Sequence, residues 1–118
     1  MQMSFGLSRQ KHIGVEKMVE AKVYSASYCS WCSKAVQFLE KEGLKVRIID
    51  ITDDQDERKM LVERTGQKTV PQVWIGDFYI GGYDRMMKMA STKDLIPIIL
   101  EEENKLLKAE LQRLRRSI

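Results

Sequence analysis

The two cysteines of this chain, Cys29 and Cys32, are separated by two residues and follow a short apolar run at residues 22–24. Two thiols at this C-x-x-C spacing can close into a disulfide and reopen without disturbing the fold when a strand passes into a helix there. The first thiol is then at the helix N-terminus, where backbone N–H groups and the helix dipole favour a thiolate. The spacing therefore predicts thiol–disulfide exchange.

Exchange requires an attacking thiolate and a second thiol that resolves the mixed disulfide. Cys29 precedes the predicted helix, so we expect it to be exposed and to attack. Cys32 lies one turn further, on the same face as Ala35, so we expect it to be buried and less acidic. We expect Ser30 to offer a hydroxyl or backbone N–H to the Cys29 sulfur, and Trp31 to form an apolar lip.

Two other interpretations of the cysteine pair are weaker. A structural zinc site takes four ligands, and only His12 remains as a further soft ligand in this chain. Lone cysteines are often small core residues, but paired spacing at a predicted helix start disfavours that role.

Two further groups of residues lie downstream. Val70-Pro71 opens a predicted strand, where proline is tolerated at the first residue or on an edge. A cis bond there would turn the Val70 backbone outward, to pair with an extended peptide beside the thiol, whereas a simple strand-start proline is the alternative. Gly81-Gly82 precedes a predicted helix, whose N-terminus suits a carboxylate. Gly-Gly turns are common, so this signal alone is weak.

A predicted β-α-β-α-β-β-α order, followed by a last helix, positions these residues, and it is typical of an α/β sandwich with a central mixed sheet. The expected strands are residues 21–24, 46–51, 70–75 and 78–80. The expected helices are a first one that ends at Gly43, a second one capped within residues 52–54 and ending at 65–66, a short one at 83–89, and a last one capped by Ser91 or Asp94.

The last helix carries apolar residues at alternating steps of four and three, which is a heptad seam with one polar position. Its members are Leu100, Asn104, Leu107, Leu111, Leu114 and Ile118. Either the helix packs its first half on the domain and frays at its end, or the seam pairs with a partner such as another copy of the chain. Under three heptads is short for a coiled coil on its own, which slightly favours the first alternative.

Composition bounds the class of protein. The 118 residues are 43% hydrophobic, which suits one small domain. The net charge of +3 arises from basic residues scattered among acidic ones, so nucleic acid is not an expected partner. No apolar stretch approaches a membrane span, no secretory signal is recognisable, and two cysteines argue against a disulfide-stapled secreted scaffold. We therefore expect a cytoplasmic protein without a membrane partner.

We divide the chain into a loosely ordered extension at 1–19, a domain at 20–100 and a helical extension at 101–118.

Residues 21–100 resemble a glutaredoxin. The resemblance rests on three motifs in the right order: the C-x-x-C pair, Thr69-Val70-Pro71, and Ile80-Gly81-Gly82-Tyr83-Asp84. It implies a thioredoxin-like three-layer sandwich with a four-stranded mixed sheet flanked by helices. It also implies a glutathione-dependent thiol–disulfide oxidoreductase that reduces protein disulfides and glutathione mixed disulfides, with disulfide-containing or glutathionylated proteins as clients.

The same resemblance implies a role for each site residue. Cys29 would attack and Cys32 would resolve. The Val70 backbone would hold the glutathione cysteine, and Tyr83 and Asp84 would receive the γ-glutamyl end. Arg58 and Lys68 would supply charge to the glycine carboxylate. The resemblance assigns nine residues to glutathione: Tyr28, Arg58, Lys68, Thr69, Val70, Pro71, Gly82, Tyr83 and Asp84.

Three features depart from the family pattern. Ser30-Trp31 stands where dithiol members usually have Pro-Tyr, and some members with serine there bind a glutathione-ligated [2Fe-2S] cluster that bridges two protomers. An iron–sulfur carrier or sensor, with Cys29 as the ligand, is therefore the alternative function. Ala26 replaces a common lysine, which removes a favourable charge near the thiolate.

The third departure is the tail beyond Leu100, which exceeds the usual length. We accordingly expect a monomer, or a homodimer formed through the C-terminal helix or a bridging cluster. A redoxin recharged by thioredoxin reductase is a further alternative, which the sequence at 81–84 disfavours.

Overall fold

The computed structural model describes residues 19–117, a range that holds four strands and four helices. The strands are β1 (Glu20–Ser25), β2 (Lys45–Asp50), β3 (Gln72–Ile75) and β4 (Phe78–Gly81), and the helices are α1 (Ser30–Lys41), α2 (Gln55–Thr65), α3 (Tyr83–Ser91) and α4 (Leu95–Arg116). The sheet order is β2-β1-β3-β4. Strand β1 pairs parallel with β2 and antiparallel with β3, and β3 pairs antiparallel with β4. The predicted four-stranded mixed sheet is therefore confirmed.

Helices cover both faces of the sheet because successive residues of β1 point to opposite sides. Ala21 and Val23 pack in one buried cluster with residues of α1, α3 and α4, among them Leu39. Tyr24 points to the other face, where it packs with Leu61 of α2 and with Trp74. The result is three layers, with the sheet in the middle.

Local signals set most of the helix ends. The Asp54 side chain caps α2 by accepting a hydrogen bond of 3.0 Å from the Glu57 N–H, and Gly66 ends that helix at a φ of +76°, where glycine is favoured. Ser91 is the last residue of α3, so its alternative role as the cap of the last helix is wrong. Asp94 stands at the N-cap of α4, but its side chain accepts a bond from the Thr92 hydroxyl and makes no capping bond.

The strand register brings the three sequence motifs to one end of the sheet. Tyr24 lies opposite Gln72, so the end of β1, which leads into Cys29, is beside the start of β3, which follows Pro71. Strand β4 runs back along β3 and places Gly81 opposite Val73. The C-x-x-C pair, the Val70–Pro71 segment and the Gly81–Gly82 turn therefore converge.

Glu102 joins α4 to the turn between β3 and β4. Its side chain is largely buried, and its carboxylate accepts a hydrogen bond of 2.9 Å from the Asp77 N–H and pairs with Lys105 at 2.9 Å. Gly76 has a φ of +58°, and a Cβ there would collide with the Glu102 carboxylate. Helix α4 thus continues unbroken past residue 100 and is still tied to the domain at Glu102.

The division of the chain into three parts stays a prediction. Residues 1–18 and Ile118 lie outside the described range, and Val19 is buried in the larger core cluster. Within residues 19–117, none of the helices combines the length and the apolar character needed to cross a membrane.

Candidate active site

The Cys29 sulfur lies between a backbone N–H of α1 and a backbone carbonyl of the segment that precedes β3. Cys29 is the N-cap of α1, and its Sγ accepts a hydrogen bond of 3.2 Å from the Cys32 N–H. Its thiol also donates to the Val70 carbonyl oxygen, 3.6 Å away across the sheet end. Cys29 is partly exposed, as expected for an attacking thiol. We expected Ser30 to donate a hydrogen bond to its sulfur, but the donor is the backbone N–H of Cys32. A backbone N–H at the start of a helix stabilises a thiolate by donating a hydrogen bond to its sulfur.

The second thiol has a different environment. Cys32 is only 2% exposed, and both cysteines are free thiols. Burial, and next its hydrogen bond with Cys29, raise the pKa of the Cys32 thiol. The expectation that Cys32 is buried is confirmed, and the direction in which burial moves its pKa suits a resolving thiol.

A groove of about 620 Å³ lies between the segment before β3 and the start of α3, and Val70, whose carbonyl contacts the Cys29 thiol, is part of its wall. The Trp31 and Tyr83 rings form part of its wall with their centroids 5.0 Å apart, and the Lys34 ammonium lies 4.3 Å from the Trp31 ring centroid. Trp31 is 51% exposed and forms the predicted lip. The candidate residues that line the groove are Thr69, Val70, Pro71, Gly82, Tyr83 and Asp84. The Val70–Pro71 peptide bond is cis.

Three of the residues that the resemblance assigns to glutathione do not line this groove, and neither do the two cysteines. The Arg58 guanidinium donates to the Tyr28 hydroxyl at 2.6 Å and, through Nε, to the Ile51 carbonyl at 2.9 Å. Two of the predicted residues are therefore in contact with each other, beside the Cys29 loop. Lys68 is exposed on the segment that leads to Thr69.

The start of α3 presents backbone N–H groups to the groove. Gly82 is its N-cap with extended backbone and no side-chain capping bond, and the first intrahelical bond runs from the Met86 N–H to the Gly82 carbonyl at 3.0 Å. The N–H groups of the first turn, at Tyr83 and Asp84, lack intrahelical acceptors and suit a carboxylate. Gly81 precedes this turn at a φ of +114°, which requires glycine.

Gln72 is a residue of the site that sequence reasoning missed. It is 1% exposed, and its Nε2 donates to the carbonyls of Gln67 and Thr69, both at 2.9 Å, while its Oε1 accepts from the Tyr79 hydroxyl at 3.0 Å. These bonds shape the segment that carries Val70. The available signal was a lone polar residue inside the apolar run of residues 70–75. Arg85 also lines the groove and was missed.

We expect Gln72→Leu to lower the free energy of unfolding by about 1–3 kcal/mol, because its three part-buried hydrogen bonds are lost at nearly constant volume. Urea unfolding measures this. Tyr79→Phe is the matched control: it removes one of the three bonds and leaves both bonds to the segment, so we expect a loss of about 1 kcal/mol. Equal losses in the two variants would contradict a role for Gln72 in holding the segment.

The three-layer fold, with a C-x-x-C pair at the start of α1, defines a thioredoxin-like redox protein. The family model "Glutaredoxin" matches residues 21–80, and the chain belongs to that family. It is 37% identical over 82 residues to a glutaredoxin of Vernicia fordii, covering 67% of this chain and 79% of that protein. It is 30% identical over 98 residues to glutaredoxin-C2 of Arabidopsis thaliana, covering 80% and 88% of the two chains.

Solved structures agree with this assignment. The fold is similar to that of a buckwheat glutaredoxin–glutathione complex, with a TM-score of 0.63 and 30% identity over 74% of this chain and 82% of that one. The predicted thioredoxin-like fold is confirmed, and membership of the family implies thiol oxidoreductase activity.

Proposed function

We propose that this glutaredoxin depends on glutathione and reduces protein disulfides and glutathione mixed disulfides. One observation carries the proposal: the Val70 carbonyl lies 3.6 Å from the Cys29 sulfur, on a segment that lines the same groove as the start of α3. A short peptide thiol with a terminal carboxylate fits this arrangement, because its sulfur, backbone and carboxylate each meet a matching group. The similarity to a glutaredoxin solved with glutathione supports the assignment.

In this proposal each wall of the groove holds one part of the tripeptide. The Val70 backbone pairs with the glutathione cysteine in an extended, strand-like manner. The N–H groups of Tyr83 and Asp84 receive the γ-glutamyl carboxylate, and the Asp84 carboxylate accepts the ammonium. Arg58 and Lys68 are the cations for the glycine carboxylate, and Tyr28 supports the Arg58 guanidinium that it contacts.

The reaction that follows has two branches. With a glutathionylated client, the Cys29 thiolate attacks the glutathione sulfur and the client leaves as a thiolate. A second glutathione thiolate then attacks the glutathione sulfur bound to Cys29, which forms oxidised glutathione and releases the Cys29 thiolate. With a client disulfide, Cys29 forms a mixed disulfide, and the Cys32 thiolate attacks the Cys29 sulfur and releases the client. Two glutathione molecules reduce the resulting Cys29–Cys32 disulfide and leave as oxidised glutathione.

The iron–sulfur alternative stays a prediction. Among residues 19–117, no group of three or more His, Cys, Asp and Glu side chains is placed to hold a metal ion. The chain would supply Cys29 alone, so the other ligands of a [2Fe-2S] cluster have to come from glutathione and a second copy. Anaerobic reconstitution followed by visible absorbance measures this, and a colourless protein counts against it.

The electron source tests the proposal directly. We expect turnover of a glutathionylated peptide with NADPH, glutathione reductase and glutathione. We expect no turnover with NADPH and thioredoxin reductase alone. A known dithiol glutaredoxin and a known thioredoxin are the positive controls for the two systems. Turnover with thioredoxin reductase, and none with glutathione, would show that the groove serves another reductant.

A further inference from the structure

From Leu100 to its C-terminal end, α4 carries an exposed apolar stripe on the side away from the domain. The helix packs on the domain through Leu95, Ile98 and Ile99, and then through the buried Glu102. Successive residues of a helix turn by about 100°, so the seam of Leu100, Asn104, Leu107, Leu111 and Leu114 is rotated about 140° from that packed face. The four leucines of this seam are 40% to 54% exposed. Ile118, the next residue of the seam, lies outside the described range.

The pattern around this stripe fits a second copy of the same chain. Leu100, Leu107 and Leu114 occupy one of the two core positions of a heptad, and Asn104 and Leu111 occupy the other. In a parallel, two-stranded coiled coil, a single asparagine at the second position contacts the same asparagine of the other chain. This contact fixes the register of the coiled coil and the number of its strands.

The charges beside the seam select the same orientation. In a parallel, in-register pair, Glu103 of one copy faces Lys108 of the other, and Glu110 faces Arg115. In an antiparallel pair the glutamates would instead face glutamates. Glu110 is ion-paired with Arg113 within its own helix, and such an exposed pair is weak enough to exchange for another cation.

The position of the domain permits this pairing. Because Leu95, Ile98, Ile99 and Glu102 hold the domain on the far side of α4, two parallel helices can meet along their seams with the domains on the outer faces. The hydrogen bond from the Asp77 N–H to Glu102 anchors the helix at the point where the stripe leaves the domain.

We propose that α4, from Leu100 to its C-terminal end, is an interaction surface for a second copy of this chain, joined as a parallel two-stranded coiled coil along Leu100, Asn104, Leu107, Leu111 and Leu114. The proposal is independent of the reductant that the active site uses. It is also independent of cysteine chemistry, since the helix contains no cysteine.

Sedimentation equilibrium of the full chain under reducing conditions tests the association. We expect a concentration-dependent dimer that persists in a Cys29→Ser/Cys32→Ser chain, which can form neither a disulfide nor a cysteine-bound cluster. Leu111→Lys is expected to raise the dissociation constant about 100-fold, because two buried leucines are lost per dimer. Leu106→Lys is the matched control on the domain-facing side, where Asp77 and Glu102 are close, and it is expected to change the constant by about twofold or less.

Circular dichroism shows whether both variants keep their helices. A monomer at every concentration, a larger oligomer, or equal effects of the two lysines would overturn the proposal, and a monomer would leave the stripe to a different partner. Orientation is tested by Leu114→Cys in the cysteine-free chain. If the dimer is parallel, the two introduced thiols face each other and oxidation links the two chains covalently. If the dimer is antiparallel, residue 114 instead faces residue 104 of the other copy, so cross-linking requires Asn104→Cys as well. That second result would contradict the proposal.

Discussion

Replacing Cys29 with serine is expected to lower kcat/KM for a glutathionylated peptide by at least about a thousandfold, equivalent to about 4 kcal/mol of barrier. A serine hydroxyl is not ionised at neutral pH, so the N–H of Cys32 and the helix start have no anion to stabilise. The remaining thiol cannot substitute for Cys29, because Cys32 is buried and burial raises its pKa. The coupled assay with glutathione reductase measures the loss.

Cys32→Ser is the matched control for this experiment, since it makes the same atomic change at the other thiol. It leaves the Cys29 sulfur, the Val70 carbonyl and the groove in place. Full activity of Cys29→Ser together with an inactive Cys32→Ser would show that Cys32 attacks, and would contradict our assignment of the attack to Cys29.

Cys32→Ser itself is expected to separate the two branches of the reaction. Reduction of a glutathionylated peptide should stay within about threefold of the wild-type rate, because a second glutathione does the resolving in that branch. Reduction of a protein disulfide should fall at least about 100-fold, because the mixed disulfide at Cys29 then has no neighbouring thiol to attack it. Parallel assays with the two substrates measure the split, and equal losses would contradict the division of roles.

The pH dependence of the resolving step follows from the burial of Cys32. Burial raises its pKa, so less of it is thiolate at neutral pH than for an ordinary cysteine. Below that pKa the thiolate fraction rises about tenfold per pH unit, so release of the client from the mixed disulfide should accelerate as the pH is raised above neutral. Stopped-flow measurement of client release gives the profile, and a rate that is independent of pH would show that Cys32 does not attack as the thiolate.

Much of the fold was predictable because its signals are local. Asp54 and Gly66 end α2 through side-chain and backbone preferences that need no tertiary context. The spacing of the two cysteines likewise predicted which thiol would be buried, since helical periodicity places Cys32 on the packed face.

Contacts between residues distant in the chain were not predictable in this way. Gln72 reaches Tyr79 only because β3 and β4 pair, and Glu102 reaches the Asp77 N–H only because α4 crosses beside that turn. The contact between Arg58 and Tyr28, 30 residues apart, depends on how α2 packs beside the Cys29 loop. Each is a polar contact fixed by register or packing, which a single sequence does not display.

Mass spectrometry after incubation with oxidised glutathione tests the central claim, that Cys29 attacks and glutathione is the cosubstrate. In the full-length Cys32→Ser chain, where no second thiol can displace the adduct, we predict one glutathione per chain, located by peptide mapping on Cys29. The Cys29→Ser chain, treated alongside, should acquire none. An adduct on Cys32 in that second chain, or no adduct on Cys29 in the first, would contradict the account.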